Sequence, residues 1–512
     1  MYPANSIAFD LEALLQKGAW VLPAMILGAS FLVAVLETPL VRRLALWFKV
    51  VDEPGPRKIH AQAIPRLGGV AIFFGTLAGL LLLVLFGRNL EPNLEQVSTK
   101  HTVFFAAGFF IFVLGVIDDI KHLRAGYKFV AETAAAILVT AYGVRIQTLS
   151  VPGLFPGGID FGILSWPLTV LWIVGITNAV NIIDGLDGLA AGIAAIACAT
   201  IGLFAFAQGH YMLASVAFAL FGSVAGFLIF NFNPAKIFMG DSGSLFLGFM
   251  LGGGSVLFTG KFATLVGLAL PVLALGIPIF DTLLCMLRRF LERRSIFAPD
   301  KSHIHHRLLE MGLTHKKVVL TLYGVTLLVT GIGAWFMAVQ RTRALVAFVG
   351  ALLVLLLFFR LIGQVRIRQS LARIKEKVNQ SRRKSKIQRI VEELELELRA
   401  AIDLEEWWKA LSKAGDQLGF SRLVLPMDKR SGGKQVLVWS RNGTAAGDHQ
   451  PFSFRIPVSH RRSGKKLLLK AEVDDPESLE EVTFKATWLA RLIDGKSIAD
   501  LPRKPRSRIL SG

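Results

Sequence analysis

The chain has 512 residues, 53% of them hydrophobic, with 57 Lys and Arg against 37 Asp and Glu, a formal net charge of +20 and a mean hydropathy of +0.53. So much apolar sequence excludes an ordinary soluble domain and points to a protein of the lipid bilayer. The positive charge calls for no nucleic-acid partner, because basic loops beside anionic headgroups account for it.

The opening stretch MYPANSIAFDLEALLQKG lacks the cationic start of a secretory signal, so the first apolar run, near residue 18, is read as a retained span. Further runs long enough to cross about 30 Å of hydrocarbon begin near residues 69, 102, 129, 166, 188, 210, 243, 262, 318 and 343. They predict an all-α polytopic membrane protein of about eleven transmembrane helices within a first domain, residues 1–362. Cys198 and Cys285 fall inside these runs with no zinc-type spacing, which argues against a disulfide framework or a metal knuckle. Lys and Arg concentrate in alternate loops, as in RRLALWFKVVDEPGPRKIHAQAIPR and RRFLERRSIFAPDKSHIHHRLL. The positive-inside rule makes those loops cytoplasmic and places the N-terminus outside and the C-terminus inside.

Residues 363–400 are assigned to a basic juxtamembrane helix and linker. Ile367, Leu371, Ile374 and Val378 form a helical stripe there, suited to lying on anionic lipid or to pairing two copies. A helical segment from about residue 386 leads into a small cytoplasmic α+β domain, residues 401–512, of GAF-like or regulatory type. Its strands are expected at SRLVLPM, KQVLVWS, PFSFRIPV and KKLLLKAEV, and its closing helix at PESLEEVTFKATWLARLID.

Five polar clusters interrupt the first domain, all on the cytoplasmic side of the predicted topology. VDEPGPRKIHAQAIPRLGG carries Asp52 and Lys58, and GVIDDIKHLRAGYK carries Asp118, Asp119 and Lys128. NAVNIIDGLDGL carries Asn178, Asn181, Asp184 and Asp187, and NFNPAKIFMGDSGS carries Asp241. PDKSHIHHRLLEMGL carries His303, His305, His306 and Arg307. Each has a bland explanation: a solvated helix exit for the Asp pair, interhelical glue for the Asn pair, a capping turn at Gly240–Gly243, a basic loop for the histidines, a Pro-rich turn for Asp52 to Lys58. Five such clusters at one membrane depth are better explained by a shared site, since ionisable groups near the bilayer are costly without partners or function. Carboxylate and amide oxygens suit Mg²⁺, with Mn²⁺ as the alternative, while Lys, Arg and His clamp phosphate. Acidic and basic groups together fit a metal-bound diphosphate and phosphoryl transfer. The competing classes are a cation-coupled transporter and a non-catalytic membrane sensor; a transporter would place its polar groups near the bilayer midplane in repeated halves, and no repeat is visible.

In order and side, NAVNIIDGLDGLAAG, VIDD, FMGDSGSLFLG and PDKSHIHHRLLEMGL resemble the polyprenyl-phosphate N-acetylhexosamine-1-phosphate transferases, over roughly residues 18–362. The resemblance implies an enzyme of the bacterial inner membrane with its site at the cytoplasmic face. It would move a sugar 1-phosphate from a UDP-N-acetylhexosamine to undecaprenyl or another polyprenyl phosphate and release UMP, the first membrane step of envelope polysaccharide synthesis. The histidine loop resembles the GlcNAc branch; the phospho-MurNAc-pentapeptide transferases of peptidoglycan synthesis are the alternative. Carried onto this sequence, the resemblance implies Mg²⁺ held by Asn181 and Asp241, with Asp118, Asp119, Asp184 and Asp187 as the catalytic carboxylates. Lys128 would meet phosphate, and His303, His305, His306 and Arg307 the diphosphate or sugar. Phe238 would stack on uracil, Asp52 and Lys58 would line the acceptor side, and Asn178 would join the substrate contacts. A homodimer is the implied assembly.

Overall fold

In hydrocarbon every backbone N–H and C=O must be satisfied within its own segment, so the long apolar runs of this chain form helices. The computed structural model describes residues 20–53, 63–90, 97–151, 155–259, 265–291, 303–339, 344–362, 388–428, 434–441, 452–459, 466–474 and 479–501. The chain divides into two units, Met1–Ser370 and Leu371–Gly512, each with its own apolar core.

The first unit is helical. Its elements in chain order are α1 (Val21–Trp47), the short pair β1 (Val51–Asp52) and β2 (Ile64–Pro65), α2 (Gly68–Leu90), α3 (Thr99–Lys121) and α4 (Ala125–Ala141). The hairpin β3 (Thr148–Val151) and β4 (Phe155–Asp160) follows, then α5 (Ser165–Ile183), α6 (Leu189–Ala207), α7 (Tyr211–Asn231) and α8 (Gly240–Thr259). The unit closes with α9 (Leu265–Ala274), α10 (Gly276–Leu291), α11 (Ile304–Glu310), α12 (His315–Val339) and α13 (Ala344–Leu361).

Among the described residues, 7 helices are long and apolar enough to cross a membrane, and α9 with α10, bent by 76°, raise this to 8. The sequence predicts about eleven. The difference lies in α4, α8 and α13, which are helices where spans are predicted but are not among those 7 or 8. α4 has 17 residues, and α8 opens on the polar stretch Gly240–Ser244.

α8 packs against α2, α3, α5 and α9. Small residues let the backbones meet, as is common between membrane helices. A Cβ on Gly115 of α3 would lie 2.5 Å from the Asp241 carbonyl oxygen, and one on Gly248 would lie 2.7 Å from the Thr177 Cα of α5. The C-terminal end of α3 is thereby pressed directly onto the start of α8.

The second unit contains α14 (residues 388–400), α15 (Leu404–Gln417), β5 (Arg422–Asp428), β6 (Lys434–Ser440), β7 (Phe452–Ser459), β8 (Lys466–Val473) and α16 (Leu479–Gly495). The sheet is antiparallel in the order β6-β5-β8-β7. Alternate residues Leu423, Leu425, Ile456, Val458, Leu469 and Ala471 are buried in a core with the helices, the period-2 pattern of a sheet with one covered face. Asp403 caps α15 by accepting the Glu406 N–H at 2.9 Å. Val391, Leu394 and Leu398 of α14 belong to this core, because their spacing of three and four lines one helix face. The stripe Ile367 to Val378 lies outside the described residues.

Candidate active site

Adjacent residues on a helix point about 100° apart, so Asp118 and Asp119 at the end of α3 serve different neighbours. Asp119 faces α8. Its Oδ1 accepts the Asp241 N–H at 2.8 Å and its Oδ2 the Ser242 N–H at 3.0 Å, which satisfies donors that a helix start leaves orphaned. Gly240 sits between them with φ +72°, and a Cβ there would meet Asp119 Oδ2 at 2.5 Å, so both conformation and space demand glycine. Asp118 faces α4. Its Oδ1 accepts the Leu123 N–H at 2.6 Å and its Oδ2 the Lys128 ammonium at 2.8 Å. Lys128 donates equally to Asp241 Oδ2 at 2.8 Å, so one cation ties α3, α4 and α8 together.

The stretch from Asp184 to Gly188 is the turn between α5 and α6. The Asn231 amide oxygen accepts the Gly188 N–H at 3.1 Å while its Nδ2 donates to the Ile237 carbonyl at 2.9 Å. Asp187 Oδ2 accepts from Asn233 Nδ2 at 2.9 Å and from the Ala235 N–H at 3.0 Å. The Tyr323 hydroxyl of α12 donates to the Gly188 carbonyl. These bonds sew the turn to the end of α7, to the loop between α7 and α8 and to α12. Burial, reinforced by the negative charges of Asp241 and Asp119, pushes the Asp184 carboxyl up to about 8.

The chain after β2 forms another wall. Arg66 N–H donates to the Val50 carbonyl at 3.1 Å, Phe238 N–H to the Pro65 carbonyl at 2.8 Å, and Gly68 N–H to the Phe238 carbonyl at 2.9 Å. The Arg66 guanidinium then lies 3.6 Å from Asp52 and 3.7 Å from Asp119. The histidine stretch is anchored from α10: Asp281, 1% exposed, takes the His303 ring at Nδ1 and the Ile304 N–H, both at 2.9 Å. His305 is buried against Gly185, whose hypothetical Cβ would meet its Nε2 at 2.8 Å. Burial and the neighbouring His306 hold the His305 imidazole down at about 3, neutral at physiological pH.

Around these walls lies a cavity of about 850 Å³, bordered by Asp52, Arg66, Asn181, Asp184, Asp187, Phe238, Asp241 and His306, with Arg42 and Lys236 at its rim. A pocket holding hard oxygen donors and cations together accommodates a polyanion with a divalent ion.

A family model described as glycosyl transferase family 4 matches residues 101–259. A Bacillus subtilis protein named "Probable undecaprenyl-phosphate N-acetylglucosaminyl 1-phosphate transferase" is 43% identical over 294 residues, 57% of this chain and 79% of that protein. The chain belongs to the polyprenyl-phosphate N-acetylhexosamine-1-phosphate transferase family. Other relatives include a decaprenyl-phosphate N-acetylglucosaminephosphotransferase of Mycolicibacterium smegmatis, 36% identical over 57% of this chain and 76% of its own length. A phospho-N-acetylmuramoyl-pentapeptide-transferase of Rubrobacter xylanophilus is 33% identical over 58% of this chain and 92% of its own length.

In this transferase, seven of the sequence-predicted residues border the cavity: Asp52, Asn181, Asp184, Asp187, Phe238, Asp241 and His306. Asp118, Asp119 and Lys128 stand behind Asp241 and hold it. Asn178 lies one turn back on α5, where its amide donates to Glu132 of α4 and to the Val174 carbonyl. His303, His305 and Arg307 are not among the residues bordering the cavity, and the rings of His303 and His305 stack behind His306. Lys58 lies outside the described residues. Sequence reasoning passed over Arg66, Glu132, Asn231 and Asp281. The signal for Asp281 and Glu132 was present, since each is a lone carboxylate in an apolar helix and such groups need a partner.

Proposed function

We propose that this chain transfers GlcNAc 1-phosphate from UDP-GlcNAc to a polyprenyl phosphate and releases UMP, at the cytoplasmic face of a bacterial inner membrane. The observation that carries this reading is the single cavity on which oxygen donors from α8 and the α5–α6 turn meet Arg66 and His306. Two relatives named for GlcNAc match at 43% and 36% identity, above the 33% of the MurNAc-pentapeptide relative, which favours the GlcNAc donor. In this reading α4, α8 and α13 are additional spans, which gives about eleven in all with the N-terminus outside.

The donor set fits Mg²⁺. Among the described residues no three His, Cys or carboxylate groups form a ready-made cage, and Mg²⁺ commonly takes one or two protein carboxylates and completes its shell with water and substrate phosphate. Asn181, Asp184 and Asp241 offer oxygen atoms around the cavity, and burial with the nearby Asp241 and Asp119 charges raises the Asp184 carboxyl, a shift that a bound cation would oppose. When bound, the ion would neutralise the donor diphosphate.

The chain's own residues supply position. Asp119 and Lys128 hold Asp241 at the cavity wall, and Phe238 offers a ring for the base. A phosphate monoester has its second pKa near 6, so the acceptor is largely dianionic at neutral pH. One of its oxygens bonds to the β-phosphorus of the donor as the bond from that phosphorus to the UMP oxygen breaks. This displacement needs no general base and no covalent enzyme intermediate, in keeping with Asp118 and Asp119 already having each oxygen hydrogen-bonded.

The test is UMP release by the purified full-length chain with Mg²⁺, polyprenyl phosphate and a panel of UDP-sugars. UDP-GlcNAc is expected to be the best donor, and Asp241→Ala is expected to lose at least about a hundredfold in turnover, the scale of removing a group that stabilises transition-state charge. Absence of UMP with every donor, beside an active family member in the same assay, overturns the assignment.

A further inference from the structure

The cation that the sequence offers for phosphate, Lys128, is already committed. Its ammonium makes two 2.8 Å bonds, to Asp118 and Asp241, and it does not border the cavity. Arg66 is placed differently. Its backbone is fixed on both sides, by the N–H bond to Val50 and by the bridge to Phe238. Its side chain, 24% exposed, borders the cavity. The nearest carboxylate oxygens, on Asp52 and Asp119, stand at 3.6 and 3.7 Å, longer than a hydrogen bond. Both oxygens of Asp119 are taken by the first N–H groups of α8. Arg66 is thus held near acidic groups without spending its planar fork of donors on them, and that fork matches two oxygens of one phosphate.

We propose that Arg66 grips a substrate phosphate through two N–H bonds to its non-bridging oxygens, and that Lys128 instead holds Asp118 and Asp241 in place. This rests on the transferase reading above. The phosphate belongs either to the donor diphosphate or to the lipid monophosphate, and the two are separable by kinetics.

The full-length chain, wild type and as Arg66→Ala and Arg66→Lys, is assayed for UMP release with each substrate varied in turn, and for binding of inorganic pyrophosphate by calorimetry. Arg66→Ala is expected to raise one KM by about tenfold or more, the range of a charge-assisted hydrogen bond. A rise for UDP-GlcNAc assigns the diphosphate; a rise for polyprenyl phosphate assigns the monophosphate. Arg66→Lys is expected to recover only part of the loss because a point charge cannot reproduce the fork, and added guanidinium is expected to restore part of the Arg66→Ala activity. If Arg66→Ala leaves both KM values and pyrophosphate binding within about twofold and lowers only kcat or the melting temperature, Arg66 is a structural counter-ion and the proposal is overturned. If wild type releases no UMP yet binds pyrophosphate in an Arg66-dependent way, the grip stands and the reaction assignment falls.

Discussion

Asp184 illustrates how a single side chain couples the site to pH. With its carboxyl pushed up to about 8 by burial and by Asp241 and Asp119, it holds a proton at neutral pH when no cation is bound. A divalent ion must displace that proton, so apparent Mg²⁺ affinity should rise with pH up to about 8 and level off above it. Calorimetric Mg²⁺ titrations at about pH 6, 7 and 8.5 are expected to show roughly tenfold weaker binding per unit of acidification, with proton release into the buffer. Asp184→Asn should bind more weakly at high pH and lose most of this slope. An affinity that is flat in the wild type would remove Asp184 from the ion's surroundings. Asp281 makes a different kind of prediction, about stability. Replacing it with Ala leaves the His303 ring and the Ile304 N–H without their acceptor. This should destabilise the unit by about 1–3 kcal/mol, read as a lower unfolding midpoint in detergent. The types of these residues could be read from the sequence, but their partners could not. Asp118 and Asp119 look equivalent in VIDD, and only the helix rotation between them decides that one holds Lys128 and the other caps α8.

At the scale of elements, the apolar runs made the helices legible and concealed the break. The run that begins near residue 262 reads as a single span, yet α9 and α10 meet at 76°. The cause is visible only afterwards. Pro271 lies inside α9 and Pro278 in the first turn of α10, and each lacks an N–H for a continuous ladder. The bend turns Asp281 toward the histidine stretch, which hydropathy alone could not foresee. The contact between α3 and α8 was equally hidden, because it depends on what Gly115 and Gly240 leave out. Gly240→Ala combines a left-handed backbone with a collision against Asp119, whereas Gly209→Ala, at φ +76° with nothing within 4 Å, carries the backbone strain alone. Both variants should lose about 1–2 kcal/mol to strain. Only Gly240→Ala is expected to lose UMP release as well, by about tenfold or more, as the start of α8 shifts from its N–H bonds to Asp119. Equal activity in the two variants would show that the placement of Asp241 does not depend on that capping contact.

At the scale of the whole molecule, the division of labour is written in the relatives. Matches spanning 57% of this chain cover 79% and 76% of two GlcNAc-named family members, and 58% covers 92% of a MurNAc-pentapeptide member. A length of chain comparable to unit Met1–Ser370 therefore accounts for most of what those enzymes contain, and every cavity residue named above lies in that unit. Unit Leu371–Gly512 has a separate core around Trp407, Phe420 and Leu489, while the apolar residues around the site belong to the core of the first unit. A chain ending at Ser370 is expected to insert into membranes and to release UMP with kcat/KM within about threefold of the full-length protein, since the groups that bind substrate are unchanged. The comparison is made in the same lipid, with unfolding midpoints measured alongside to separate folding from chemistry. A loss beyond about tenfold in a folded truncation would mean that the second unit contributes directly to the catalytic state, and the confinement of the site to the helical unit would have to be abandoned.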